Sequence, residues 1–256
     1  KGVGTWSFDG AGRALRDVKV SWYYTWEPHT KWIAPPPGVQ FVPMIWNQTF
    51  VAPEPLAQAK ASGSGVLLGF NEPDHVDQAN LSVERALELW PELMATGLRL
   101  GSPVTAHDAA APGGWLDRFM SGAKERGYRV DFICVHRYVG DFDPASATRA
   151  LERHLRAVHE RYGLPIWLTE YALVRWTQPP QYGTRAQQAA FTRTSSAMLE
   201  SLPFVERYAW FALPPAAKAP GVDAAETLSL YTKDGLPTEV GNAYRASGLR
   251  RPARSR

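Results

Sequence analysis

The chain is poor in cysteine. Cys134 is the single one among 256 residues, so no disulfide within the chain can staple the fold, and stability has to come from a packed core. It sits in the strand-like run DFICVHRY, where a thiol reads as a small apolar filler. No run of about 18 apolar residues is present, so no membrane span is expected. Net charge is scarce too: 28 Lys and Arg stand against 25 Asp and Glu, a formal +3, and much of the excess lies in the terminal RRPARSR. The body of the chain therefore has no basic face to neutralise phosphates, and nucleic acid is not an expected partner. GxGxxG, the P-loop and GxSxG are missing, which removes support for a nucleotide-binding fold and for a serine-hydrolase elbow. The chain opens at Lys1 without Met or a signal-type apolar region, as expected of a processed soluble protein.

Apolar and aromatic residues are plentiful: 45% of the chain is hydrophobic, with Trp 10, Tyr 10 and Phe 10. That suffices for one sizeable core, and aromatic faces are surfaces on which uncharged ring-shaped ligands stack. Eight strand-like runs recur: GVGTW (2–6), VSWYYTW (20–26), VQFVPMIW (39–46), VLLGFNEP (66–73), LRLGSPVTA (98–106), VDFICVHRY (130–138), PIWLTEYAL (165–173) and ERYAWFAL (206–213). Most lack strict alternation, as strands buried on both faces do. Helix signals lie between them: Ser82 as N-cap of SVERALELWPELMATG, a periodic stretch from Pro144 to Tyr162, and TRAQQAAFTRTSSAMLE after Thr184. Gly97, Gly127 and Gly163 stand where helices should stop, and PTEVGNAYRA reads as a closing helix. EPHTKWIAPPPG is too short and Pro-rich for one. The fold class is α/β, a single (β/α)8 TIM barrel over residues 1–249, with 250–256 as a basic, frayed tail.

In such a barrel the chemistry sits at the C-terminal ends of the strands. Glu72 ends the fourth run and Glu170 the seventh. Simple alternation puts Leu68 and Phe70 on the face of Glu72, and Ile166 and Leu168 on that of Glu170, so both carboxylates can look into the mouth. Two facing carboxylates suit glycoside hydrolysis, in which one protonates the leaving oxygen while the other attacks or activates water. Asn71 and Tyr171 flank the pair. His136 and Tyr138 share the parity of Cys134 and can reach the same cleft. Trp22, Tyr24 and Trp26 share one parity of the second run, Trp46 and Asn47 end the third, and Trp210 ends the eighth; these are candidate contacts for sugar rings, with core packing as the competing reading for each aromatic. Trp32, Trp90, Trp115 and Trp167 read as structural. Asp74, His75 and Asp77 match no specific metal-ligand spacing, and Asp74 and Asp77 read as helix-start or solvent charges, so no metal and no cofactor is expected.

The motifs SWYYTWEP, FVPMIW, LLGFNEPD, GSPVTA, VHRYVG, PIWLTEYA and YAWFAL together resemble glycoside hydrolase family 128, endo-β-1,3-glucanases of the large clan with its acid/base on strand four and its nucleophile on strand seven. The likeness covers roughly Gly2 to Ala246. It implies Glu72 as acid/base, Glu170 as nucleophile, and Asn71 as the asparagine that holds the hydroxyl next to the anomeric carbon. Arg137 stands where the family commonly has an aromatic, and its parity directs it to helix packing. The implied function is retaining endo-hydrolysis of β-1,3-glucan by double displacement, with glucan as partner, no membrane, a monomer, and an extracellular location because the substrate is a polymer. The alternatives are exo action, a non-catalytic glucan-binding protein, a related β-1,4-glycanase, or a metal-dependent hydrolase built on Asp74, His75, Asp77 and His136. Endo or exo action turns on loop shape, with Pro214 to Thr232 the segment of interest.

Overall fold

A computed structural model describes residues 1–215 and 226–248. Ten strands occur among these residues: β1 (Gly2–Gly4), β2 (Trp22–Tyr24), β3 (Gln40–Phe41), β4 (Val66–Leu67), β5 (Arg99–Leu100), β6 (Ile133–Tyr138), β7 (Ile166–Ala172), β8 (Val174–Arg175), β9 (Gln181–Tyr182) and β10 (Val205–Trp210). Six run side by side in the order β3-β2-β1-β10-β7-β6, and β4 pairs with β5. Parallel bridges Met44–Leu68 and Gly101–Phe132 join the two sets, closing an eight-stranded parallel ring. The antiparallel β8–β9 hairpin stands outside it, directly after β7.

The regular strands are shorter than the apolar runs that announced them. Pro43 and Pro103 lack the N–H that a ladder needs, and regular pairing stops ahead of each, at Phe41 and Leu100.

Among the described residues seven helices surround the ring: α1 (Ala11–Asp17), α2 (Pro53–Ala61), α3 (Val83–Met94), α4 (Trp115–Glu125), α5 (Pro144–Tyr162), α6 (Arg185–Ser201) and α7 (Glu239–Ala246). Ser82 accepts from Arg85 N at the start of α3, and Thr184 forms a reciprocal capping box with Gln187 at α6. Gly163 closes α5 with φ 65, a left-handed turn that glycine adopts without steric cost. The Pro-rich stretch after β2 carries no helix, as its composition predicts. None of the helices among the described residues is long and apolar enough to cross a membrane. The tail expected from Arg250, and residues 216–225 of the stretch after β10, lie outside the described residues.

Two apolar layers hold this arrangement. Between ring and helices packs an outer layer that includes Phe70, Trp90, Phe119, Ile166, Leu168 and Tyr171. Inside the ring a separate plug is made of Trp22, Tyr24, Val42, Met44, Val66, Leu68, Val104, Phe132, Cys134, Trp167 and Ala209. Phe132 stacks on Trp167 at 4.4 Å, and Trp22 tilts against Trp167 at 5.2 Å. The plug leaves no space for a Cβ at two points. One on Gly2 would lie 2.3 Å from the Trp22 ring, and one on Gly101 would lie 2.6 Å from Cys134 Sγ. Cys134 is the buried filler its sequence suggested, and burial pushes its thiol well above the ordinary range.

The alternation rule fails in two strands. Phe70 turns out onto Trp90 of α3 (6.1 Å) instead of inward with Leu68. Ile166 and Leu168 also face the outer layer, while Trp167 fills the interior. One tryptophan departs from the structural reading: Trp90 and Trp167 are fully buried, whereas Trp32 is 92% exposed.

Candidate active site

The departures from alternation are what aim the two carboxylates. Along β6 and β7, Val135 pairs with Leu168 but His136 pairs with Glu170, so Thr169 is an extra residue in β7. Such a bulge reverses the parity of everything after it. Glu170 consequently points into the mouth although Leu168 points out, and Tyr171 turns to the helices. At the end of β4, Gly69 approaches its neighbour so closely that a Cβ would sit 2.9 Å from the carbonyls of Gly101 and Ser102. Glu72 then takes a left-handed φ of 43, uncommon for a residue with a side chain. Its N–H donates to Val104 O at 2.7 Å and its carbonyl accepts from His75 N at 3.0 Å, which pins the turn. Holding such a conformation costs about 1–3 kcal/mol, so the surrounding contacts must over-determine it.

The two carboxylates have different surroundings. Glu170 is buried and accepts from Trp26 Nε1 at 2.9 Å, from Tyr24 Oη at 3.2 Å and from Tyr138 Oη at 2.5 Å. Glu72 is more open, with its side chain 15% exposed against 7% for Glu170. His136 stands between them: Nδ1 lies 2.8 Å from Glu72 Oε1, and Nε2 lies 3.4 Å from Glu170 Oε1 without a well-aligned hydrogen bond.

Burial raises the Glu170 pKa above the usual carboxylate value. The His136 charge opposes that rise, the Glu72 charge adds to it, and the hydrogen bonds from Tyr138 and Trp26 pull it back. Burial pulls His136 down, but the charges of Glu170 and Glu72, the hydrogen bond to Glu72, and Asp74 behind it leave the imidazole above its ordinary value. Glu72, His136 and Glu170 present ligand atoms all within 4.8 Å of one another, the one trio among the described residues able to approach a cation together. Trp26, Tyr138 and, in a bond shared with Thr169 O, Tyr24 take up most of the acceptor positions of Glu170, a poor fit for a cation site.

Around this centre opens a cleft of about 890 Å³. Trp6, Trp26, Tyr138, Trp176 and Phe211 form an aromatic wall: Trp6 lies 5.8 Å from Trp26, Trp26 is 5.8 Å from Phe211, and Tyr138 stands edge-on to Trp176 at 5.1 Å. Asn71, His75, Asp77, Gln78 and His107 supply polar groups, and Trp46 completes the lining. Asn71 Nδ2 donates to Gln78 Oε1 at 3.1 Å, while its buried Oδ1 has no protein partner. Asp74 is neither a helix-start nor a solvent charge. It accepts from the backbone N–H groups of Ala106 (2.9 Å) and His107 (3.0 Å), tying the loop after β5 to the one after β4.

Of the residues singled out from sequence, the structure gathers Trp26, Trp46, Asn71, Glu72, Tyr138 and Glu170 at the cleft, with His136 and Tyr24 directly behind them. Four are elsewhere. Trp22 lies two residues deeper than Tyr24 on the same face of the plug; at about 3.3 Å per residue it sits behind Tyr24, whose hydroxyl is the one that reaches Glu170. Tyr171 and Trp210 pack against each other at 5.0 Å in the outer layer, and Trp210 Nε1 donates to Leu228 O at 2.7 Å. Asn47 accepts from Thr49 N at 2.9 Å and caps the short 3₁₀ turn Gln48–Phe50.

Sequence reasoning passed over Trp6, Trp176 and Phe211. Trp6 and Phe211 stood at or just past strand ends, the position that should have marked them. Trp176 belongs to the β8–β9 hairpin, for which no sequence signal was read.

A closed parallel barrel whose mouth holds two carboxylates beside an aromatic wall defines a class, the barrel glycosidases. The chain belongs to the family described as the glycosyl hydrolase catalytic core, which matches residues 6–244, and within it to glycoside hydrolase family 128. It is 51% identical to a subgroup I endo-β-1,3-glucanase from Amycolatopsis mediterranei, crystallised with laminaripentaose after replacement of one glutamate. That match has a TM-score of 0.90 and covers 96% of this chain and 98% of that one. A subgroup II endo-β-1,3-glucanase from Sorangium cellulosum is 29% identical, with a TM-score of 0.78, covering 98% of this chain and 99% of that one. Alkali-sensitive linkage protein 1 of Schizosaccharomyces pombe is 29% identical over 233 residues, which are 88% of this chain. The chain spans 40% of that protein's length.

Proposed function

We propose that the protein is a retaining endo-β-1,3-glucanase in which Glu72 is the acid/base and Glu170 the nucleophile. The observation that carries the mechanism is the approach of the two carboxylates, with oxygens within 4.8 Å of each other. Retaining glycosidases hold their carboxyl groups about 5–5.5 Å apart, whereas inverting ones leave about 6.5–9.5 Å for a water. The substrate class is supported by the two endo-β-1,3-glucanases at 51% and 29% identity.

The surroundings separate the roles. Glu170 accepts hydrogen bonds that oppose the rise burial imposes on its pKa, while Glu72 opens to the cleft where a leaving oxygen can reach it. In the first step Glu72 gives its proton to the glycosidic oxygen as that bond to the anomeric carbon breaks, and a Glu170 oxygen forms the glycosyl ester. Water then enters, Glu72 takes its proton, the hydroxide oxygen bonds the anomeric carbon, and Glu170 leaves as carboxylate. The unpartnered Oδ1 of Asn71 is placed to accept from the hydroxyl beside the reacting carbon. A polymeric substrate puts the working enzyme outside the cell.

Incubation with laminari-oligosaccharides, followed by NMR of the first-formed anomer, tests this reading. The β-anomer is expected first, and α-anomer first would overturn the retaining assignment. A ladder of products from laminarin is expected of endo action; glucose alone would establish exo action instead.

A further inference from the structure

Trp32 lies on the segment between β2 and β3, with 92% of its surface in water. Scattered exposed apolar side chains are ordinary, but here the backbone itself is arranged to hold the ring out. Lys31 and Trp32 both take left-handed conformations, φ 50 and 67. These are costly for residues with large side chains. The segment is braced against relaxing. Lys31 Nζ pairs with Glu27 at 2.7 Å, Lys31 N donates to His29 Nδ1 at 3.2 Å, and Thr25 Oγ1 donates to His29 O at 2.8 Å. On the far side Ile33 is buried, and its carbonyl accepts from Tyr23 Oη at 3.2 Å.

The same segment begins at Trp26, which forms part of the cleft wall and donates to Glu170. Six residues of chain reach at most about 20 Å, so Trp32 stands within that distance of the wall. It also belongs to a loop that leaves the C-terminal end of a barrel strand, the end where the cleft opens.

We propose that Trp32 is an outlying platform for the glucan chain, a binding site separate from the catalytic cleft that takes one sugar ring of a long polymer while another stretch lies across Glu72 and Glu170. The inference rests on the glucanase reading above. A neutral sugar offers a C–H face to an aromatic ring and hydroxyls around its edge; Trp32 supplies the first surface, and His29, whose ring lies 6.4 Å from it, supplies a polar partner for the second. A second point of attachment raises the effective concentration of polymer at the cleft and adds nothing for a chain too short to span both.

The test compares the parent with Trp32→Ala and Trp32→Phe. Hydrolysis of laminaritriose should be equal in all three. In a Glu170→Gln background, affinity for long β-1,3-glucan should fall about 3- to 10-fold for Trp32→Ala and recover with Trp32→Phe. Equal polymer affinity with and without Trp32→Ala in the Glu170→Gln background would overturn the platform, leaving the catalytic reading intact if the parent still cleaves laminaritriose. A change in sedimentation of Trp32→Ala without a change in polymer affinity would overturn it too, marking a contact between copies of the chain. A parent that neither cleaves laminaritriose nor binds glucan would overturn both readings.

Discussion

The barrel has two interiors, a floor and a mouth, a few residues apart along the same strands. On β6, Cys134 belongs to the dry floor with Phe132, and His136 and Tyr138, two and four residues on, face the carboxylates. On β7, Trp167 fills the floor and Glu170 stands at the mouth. The floor is apolar, closely filled and short of space even for a Cβ on Gly2 or Gly101. At the mouth polar groups contend with desolvation: burial and the Glu72 charge raise Glu170, while the His136 imidazole and the hydrogen bonds from Tyr138 and Trp26 oppose the rise. The difference teaches that the floor should govern whether the protein stays folded and the mouth whether it reacts, because the plug is packed from apolar side chains and meets charge at its edge, as where the Arg99 and Arg207 guanidiniums lie over the Phe132 and Trp167 rings, 5.0 and 4.4 Å away.

The largest effect that can break this division lies at the mouth. Glu170→Gln should lower turnover on laminarin by at least about 10⁴-fold. It should also melt higher than the parent at neutral pH. A carboxyl whose pKa is raised on folding binds its proton more tightly in the native state, so its contribution to stability is present at low pH and is lost as pH rises through the folded value. The advantage of the neutral variant should vanish below the ordinary carboxylate range, and a variant less stable than the parent at neutral pH would contradict a Glu170 pKa raised by burial.

Next comes the floor. Phe132→Ala removes a ring stacked on Trp167 and should cost about 3–5 kcal/mol in urea unfolding. Turnover per folded molecule should stay within about twofold of the parent, judged against no contact between Phe132 and the carboxylates; a large loss in kcat with little loss of stability would erase the distinction between the two interiors.

The smallest effect sharpens it. Tyr138→Phe removes a donor from Glu170 and should reduce kcat/KM by about 10- to 100-fold, the range for a hydrogen bond to a charged group. Because that bond holds the Glu170 pKa down, its loss should move the acid limb of the pH profile upward. An unmoved acid limb would mean that Tyr138 serves substrate rather than Glu170.

Glu72 and Glu170 were legible because a carboxylate that ends an apolar run has to be at a barrel mouth if the run is a strand. His136 and Tyr138 were legible because β6 alternates without interruption. The parity argument placed Leu68, Phe70, Ile166 and Leu168 beside the carboxylates and was wrong for three of them. Glu170 reaches the mouth through the bulge at Thr169 and Glu72 through the left-handed turn after Phe70, and neither can be seen in one strand alone. Trp22, Tyr171 and Trp210 looked equivalent to Trp26 as aromatics near strand ends, yet depth along the barrel and side of the sheet divide them. Trp176 escaped notice because the hairpin that carries it has little local pattern.

The order of the eight ring strands, helices α3, α5, α6 and α7, the caps at Ser82 and Thr184 and the pair of strand-end carboxylates follow from the sequence by itself, since apolar periodicity, capping chemistry and chain breakers act over a few neighbouring residues. Only the tertiary structure decided which side of the sheet each residue faces, how deep it lies, and how closely Glu72, His136 and Glu170 converge. Those depend on the register between strands far apart in the chain: one extra residue against a neighbour, as at Thr169, inverts every side chain beyond it.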